Sequence, residues 1–248
     1  MDLINKLQQD VVVGIFSKTV DSAFVEAAGL SGLDFIILDQ EHGPLNLNTI
    51  HNHVRATKTT SISSIVRVEG VDSHAIGAAL DSGADGVQVP NINNAEQAAA
   101  AVRAARFYPD GQRGVCRFVR AAAFGNQDKA EYFSQSNNKL VILQVEGLEG
   151  IRNLDEILNV PGFDVLFVGP YDLSQSVGKP GDIDSPEVIA LIQGIAKKAK
   201  SSGVLLGAFC DTKDNAMLLK NEGFRYLAYS VDVNIYMEAC RSVRRLFA

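Results

Sequence analysis

The sequence predicts a (βα)8 barrel, the parallel eight-stranded TIM-barrel form of the α/β class, and three features predict it. Eight short apolar, β-branched-rich runs recur along the 248 residues, most are separated by enough chain for a helix, and a glycine turn precedes every second run. The length is that of one such barrel, so residues 1–248 are expected to form a single domain.

The expected strands are 11–16, 35–38, 62–68, 86–90, 140–146, 165–168, 204–209 and 226–231. Gly32-Leu33-Asp34, Gly83-Ala84-Asp85, Gly162-Phe163-Asp164 and Gly223-Phe224-Arg225 lead into the second, fourth, sixth and eighth of them, and Ser202-Gly203 precedes the seventh. Glycine there suits the left-handed residue that ends a helix before a short return to the sheet. Helices are expected over 21–30, 48–58, 74–82, 95–106, 154–159, 186–201, 212–221 and 234–247. Asp72, Asn94, Asp184 and Asp211 are the candidate N-caps. One connection, 91–139, is oversized, and an insertion after a strand end is expected to wall the active site.

A composition of 46% hydrophobic and 21% charged residues, with 21 Gly and 7 Pro, is that of a globular protein and excludes collagen-like, disordered and disulfide-scaffold chains. With a net charge of −6, neither nucleic acid nor an anionic membrane is an expected partner. Cys116, Cys210 and Cys240 are odd in number and lack zinc spacing, which fits structural thiols in a reducing compartment. The first residues lack the basic and apolar regions of a signal peptide and no run is long enough to span a membrane, so a cytoplasmic location is expected.

Chemistry-bearing side chains gather where the runs stop. Glu146 closes the fifth and Asp172 follows the sixth. In a parallel sheet both would converge at the carboxyl edge, where two hard oxygen donors could hold a divalent ion or, alternatively, cap the next helices. Gln144 shares a face with Glu146, and the Gly169-Pro170 bend leaves room for a ligand. The second run ends Asp39-Gln40-Glu41-His42, where a carboxylate beside a histidine can orient the imidazole and raise its basicity. Arg67, inside the apolar third run, must meet an inner carboxylate such as Glu41 or Glu146, or an anionic substrate. Cys210 and Asp211 could line the site. His51, His53 and His74 are expected in solvent. An imine mechanism needs a lysine buried in a strand, but only Lys18 and Lys139 touch strand ends, and Lys139 is at the wrong one. Metal chemistry is therefore favoured.

Asp39-Gln40-Glu41-His42, Arg67 in Val66-Arg67-Val68, Val89-Pro90, Tyr108-Pro109 through Gly111-Gln112-Arg113-Gly114, Gln144-Val145-Glu146 and Phe167-Val168-Gly169-Pro170-Tyr171-Asp172-Leu173-Ser174 together resemble the HpcH/HpaI aldolases, the class II pyruvate aldolases. The match runs in order over nearly the whole chain. The resemblance implies Mg2+ or Mn2+ held by Glu146 and Asp172, with pyruvate chelating the metal. It implies Arg67 on the enolate oxygen, and His42, oriented by Asp39, moving a proton through a metal-bound water. Gln144 would support the site, and amides around Gly169, Pro170 and Asp172 would hold the pyruvate carboxylate.

The implied reaction is reversible cleavage of a 4-hydroxy-2-oxo acid to pyruvate and an aldehyde, so the partners are a small keto acid and an aldehyde. An oxaloacetate decarboxylase or related lyase would use the same enolate, and a silent keto-acid-binding barrel is the alternative from another class. The resemblance also implies a homo-oligomer, a dimer or a hexamer built from dimers, with the last helix packed on or swapped with a partner subunit. Val115-Cys116-Arg117-Phe118-Val119-Arg120 departs from the small-residue stretch common in the family. Arg117 and Arg120 are expected either at the mouth, favouring an anionic aldehyde, or on a neighbouring subunit's carboxylates.

Overall fold

The computed structural model describes residues 3–247, and its strands close into one parallel barrel in chain order. β1 (Val12–Ser17), β2 (Phe35–Asp39), β3 (Ser63–Arg67), β4 (Gly86–Val89), β5 (Leu140–Val145), β6 (Val165–Val168), β7 (Leu205–Cys210) and β8 (Tyr226–Val231) each pair with their sequence neighbours, and β8 returns to β1. Every expected strand is present, with no end displaced by more than a residue. The turn glycines behave as their recurrence predicts: Gly32, Gly83, Gly162 and Gly223 have φ of 90, 89, 97 and 95°. The aspartate of the motif adds a tie, since Asp34, Asp85 and Asp164 accept the backbone N–H of Val13, Ser64 and Val141 in the preceding strand.

The helices are α1 (Leu3–Gln9), α2 (Ser22–Leu30), α3 (Leu47–Thr57), α4 (Ser73–Asp81), α5 (Ala95–Ala105), α6 (Lys129–Ser136), α7 (Leu148–Arg152), α8 (Leu154–Leu158), α9 (Pro170–Ser176), α10 (Pro186–Ser202), α11 (Lys213–Asn221) and α12 (Asp232–Arg245). The four unforeseen ones, α1, α6, α7 and α9, are too short to display a helical period. Asp72 and Asn94 cap α4 and α5 as expected. Ser185 takes the N-cap position of α10 in place of Asp184, and Thr212 caps α11 in place of Asp211.

Strand alternation divides the apolar side chains into two layers. Ile36, Leu38, Val66, Val141 and Leu166 face the helices, while Phe16, Phe35, Ile65, Ile142, Phe167 and Tyr226 fill the barrel. Leu3 and Leu7 of α1 join the inner group and plug its amino-terminal end. Phe35 and Tyr226 stack at 3.9 Å between ring centres, which Gly14 permits, since a Cβ there would lie 2.4 Å from the Phe35 ring. At the carboxyl end the same inward positions become polar: Asp39, Arg67, Gln88 and Gln144. All four are buried, so each needs partners from within the barrel.

The long connection does not overhang the carboxyl edge as expected. α5 follows β4 and uses up the descent along the barrel, so 106–139 lies at the amino-terminal end. There Arg106 donates to the carbonyls of Lys139 and Gly162, and Arg113 pairs with Asp81. Arg117 is occupied by its own loop, donating to the carbonyls of Gly125 at 2.6 Å and Gln127 at 3.4 Å. Neither it nor Arg120 reaches the mouth of this chain's barrel.

Among the described residues α12 buries only Asp232, at its start, and Tyr236 meets the edge of Phe24 of α2 at 6.1 Å between ring centres. Buried Asp232 accepts hydrogen bonds from the Ser17 hydroxyl, the Thr19 hydroxyl and the amides of Lys18 and Thr19, pinning the turn after β1. Beyond it Tyr236, Val243, Leu246 and Phe247 are exposed. No helix among the described residues is long and apolar enough to cross a membrane.

Candidate active site

Register places Asp39 of β2 beside Arg67 of β3, and the pair forms a fork. Arg67 Nε lies 2.9 Å from Asp39 Oδ1 and Nη2 lies 2.8 Å from Oδ2. Nη1 is 3.0 Å from Glu41 Oε2, and the guanidinium covers the Phe16 ring at 4.7 Å. Lys18 Nζ is 3.5 Å from Asp39 Oδ2. Burial opposes the charge of Asp39, but the Arg67 hydrogen bonds and charge, with the His42 amide and Lys18, outweigh it and hold the carboxyl below its ordinary range.

Asp39 therefore does not orient the His42 imidazole. From the segment that follows it, Asp39 accepts the backbone N–H groups of Glu41 and His42, each at 3.2 Å, which closes the turn after β2 and leaves the imidazole outside. That ring is 59% exposed, with Nε2 3.9 Å from Glu41 Oε2. Arg67 meets Glu41, one of its two expected partners, but its main partner is Asp39 rather than Glu146.

The second half of the site is a relay of amides. Gln88 Nε2 donates to Gln144 Oε1 at 2.5 Å, and Gln144 Nε2 donates to Glu146 Oε2 at 2.5 Å. Glu146 Oε1 accepts the backbone N–H of Asn91 at 2.9 Å, while Asn91 Nδ2 donates to Glu41 Oε1 at 3.0 Å. Asn91 thus bridges two carboxylates, from a left-handed φ of 59°. Across the cleft, a Cβ built on Gly169 would lie 2.9 Å from Glu146 Oε2 and 3.6 Å from Asp172 Oδ2, so both acids face the space that this glycine keeps open.

Burial first, and carboxylate neighbours second, raise the pKa values of this cluster. Burial is the largest influence on Glu146; the Gln144 bond opposes it, and the charges of Asp172 and Glu41 add to it, raising the pKa to about 7. Glu41 is raised too, burial outweighing Arg67. Such a set suits a divalent cation of the kind that takes one or two protein carboxylates and fills its other positions with substrate and water. Among the described residues no three His, Cys, Asp or Glu side chains converge as a self-sufficient metal cage.

Between Arg67 and Asp172 lies a cavity of about 180 Å3, walled also by Lys18, Gln144, Phe167 and Phe209. The Gly169 amide is directed at Val145 O and Pro170 has none, so the first turn of α9 has only the amides of Tyr171 and Asp172 left to offer a ligand. At the rim the Tyr171 hydroxyl donates to Asp211, which, with burial, raises the tyrosine pKa to about 12. Cys210 turns outward into the helix-facing layer. His53 is not in solvent: it is buried, with Nε2 2.8 Å from Thr19 O.

Gln88 and Asn91 were not singled out from the sequence. A glutamine inside the run Gly86-Val87-Gln88-Val89 carries the same signal as Arg67 in its own run, a polar side chain at an inward position. Asparagine is a residue type that tolerates positive φ, but nothing in the sequence ties Asn91 to Glu146 and Glu41.

This geometry can be set beside known proteins. A hydroxypyruvate/pyruvate aldolase of Paraburkholderia phytofirmans is 33% identical over 242 residues, covering 94% of this chain and 92% of its own. A 2-keto-3-deoxy-L-rhamnonate aldolase of Escherichia coli is 34% identical over 233 residues, covering 93% and 86%. The crystal structure of an HpcH/HpaI aldolase/citrate lyase family protein from Burkholderia cenocepacia superposes with a TM-score of 0.94 at 32% identity, covering 99% of each chain. The family model for HpcH/HpaI aldolase/citrate lyase matches residues 12–239, from the first strand into the last helix, and the chain therefore belongs to the HpcH/HpaI aldolase/citrate lyase family.

Proposed function

We propose that this member of a carbon–carbon lyase family is a divalent-metal-dependent aldolase that cleaves a 4-hydroxy-2-oxo acid to pyruvate and an aldehyde, reversibly. The observation that carries the reading is the convergence of Glu146 and Asp172 on the space beside Gly169, next to the Arg67 fork. The relatives named as keto-acid aldolases support the reaction class. Glu146 and Asp172 would hold Mg2+ or Mn2+, which supplies Lewis-acid polarisation of the keto group.

The protein's own residues do the rest. A base removes the C4 hydroxyl proton, the C3–C4 bond breaks, and negative charge moves to the keto oxygen. Arg67, locked by Asp39 and Glu41 and lining the cavity, stabilises that enolate oxygen without having to reorganise. His42, exposed at the rim beside Glu41, is the group that exchanges a proton with substrate. Gln144 and Asn91 hold Glu146, and the amides of Tyr171 and Asp172 receive the pyruvate carboxylate, with Gly169 and Pro170 shaping the approach. Lys18 is paired with Asp39, not set in the apolar surroundings that free a lysine for imine formation. The exposed apolar side chains of α12 are covered by a second copy in a homo-oligomer.

Pyruvate release from a panel of 4-hydroxy-2-oxo acids with Mn2+ present tests the reaction, and silence across the panel, with oxaloacetate alone turned over, would make the enzyme a decarboxylase. Gly169→Ala should weaken divalent-ion binding by ~10-fold or more and lower the melting temperature, because its methyl group would lie 2.9 Å from Glu146 Oε2 and 3.0 Å from Glu146 Cβ and must displace that buried side chain. Unchanged affinity by titration calorimetry would remove the space beside Gly169 from the metal site.

A further inference from the structure

A second cavity, about 400 Å3, lies at the amino-terminal end of the barrel, opposite the carboxylate cluster. Lys58, Arg113, Arg120 and Lys139 line it, against a single lining carboxylate, Asp85. Lys58 and Lys139 share that one acid, at 2.9 and 3.5 Å, and Asp81 pairs with Arg113. Among the described residues, four cations against two acids leave a local excess of two positive charges in a chain of net charge −6.

The guanidinium groups carry the argument further. Arg113 has a side chain only 2% exposed, and its Nε is buried with no acceptor. Arg120 Nε is likewise buried with no acceptor, and Arg120 forms no ion pair among the described residues. Arg113 is held by Asp81 and by the Phe107 ring, so Arg120 is the lining cation with no carboxylate of its own among the described residues, and an oxyanion in the cavity would match the charge that the two acids leave uncompensated.

We propose that this cavity binds a small multivalent oxyanion, a phosphate group or a paired carboxylate, at a site separate from the keto-acid cavity. Arg120 and Arg113 donate to it, and Lys58 and Lys139 supply charge. A ligand bound there stabilises the native barrel by mass action. The inference does not depend on the aldolase reading, since its readout is binding and not turnover.

The test is calorimetric titration of the full-length protein with inorganic phosphate and, separately, malonate, alongside melting temperatures in each. Saturable binding is expected, with a rise in melting temperature, and the tighter of the two anions identifies the ligand's anionic group. Arg120→Gln should loosen binding by ~10-fold or more and abolish the thermal shift, whereas Arg67→Lys, in the other cavity, should leave both intact. The proposal fails if neither anion binds the wild type at about 10 mM, or if Arg120→Gln binds as the wild type does. A change of oligomer size in Arg120→Gln, by light scattering, with anion binding retained would overturn it and assign Arg120 to assembly.

Discussion

Arg67→Met is expected to lose nearly all turnover and about 3–5 kcal/mol of stability, because it strands a fully buried carboxylate. Asp39 takes two guanidinium bonds from Arg67, and the nearest remaining cation, Lys18, stands off at 3.5 Å. Asp39→Asn added to Arg67→Met should restore much of the stability and none of the activity, separating the two roles. Arg67→Lys keeps the charge but not the fork. It should still bind pyruvate while turnover falls by ~10²-fold or more, since a point charge cannot hold Asp39 and face a developing enolate together. Thermal melts and steady-state rates check this set, and wild-type turnover in Arg67→Lys would remove the arginine from the mechanism.

Glu146→Gln should do the opposite to stability. With a pKa of about 7 in the folded protein against an ordinary 4.5, Glu146 binds its proton more tightly when folded. Stability of the metal-free protein is then highest below pH 4.5 for this group's contribution, falls as pH rises towards 7, and levels off above it, by about 3 kcal/mol in all. Glutamine abolishes that loss, so the metal-free variant should melt higher than the metal-free wild type at pH 8. The amide relay can accept the change by reversing direction, since Gln88 Oε1 has no partner to lose. The same substitution should abolish the stabilisation that Mn2+ gives the wild type. Melting curves between pH 5 and 8, with EDTA and with Mn2+, read both effects. A variant that fails to fold would mean that the carboxylate is structural.

The barrel was legible because its signals are local and repeated. Eight apolar runs and four glycine turns fix strand ends to within a residue, and inward alternation places Arg67 and Gln144 on one face. The site was legible in its members but not in its pairings. Asp39 stands three residues before His42, yet it bonds Arg67, 28 residues away, because strand register brings those two together and the tight turn points the imidazole outward. The 106–139 segment was misplaced for a related reason. The length of a connection says nothing about which end of the barrel holds the surplus, and α5, predicted correctly, had already carried the chain to the far end.

The measurement closest to the central claim is pyruvate release from a 4-hydroxy-2-oxo acid after metal removal. With catalysis resting, as proposed, on Glu146, Asp172 and Arg67 and not on an imine, EDTA should abolish activity, Mn2+ or Mg2+ should restore it, and borohydride added with pyruvate should leave the enzyme active. Activity that persists in EDTA and is lost irreversibly to borohydride with pyruvate would contradict that claim and transfer the chemistry to Lys18, whose ammonium lines the same cavity.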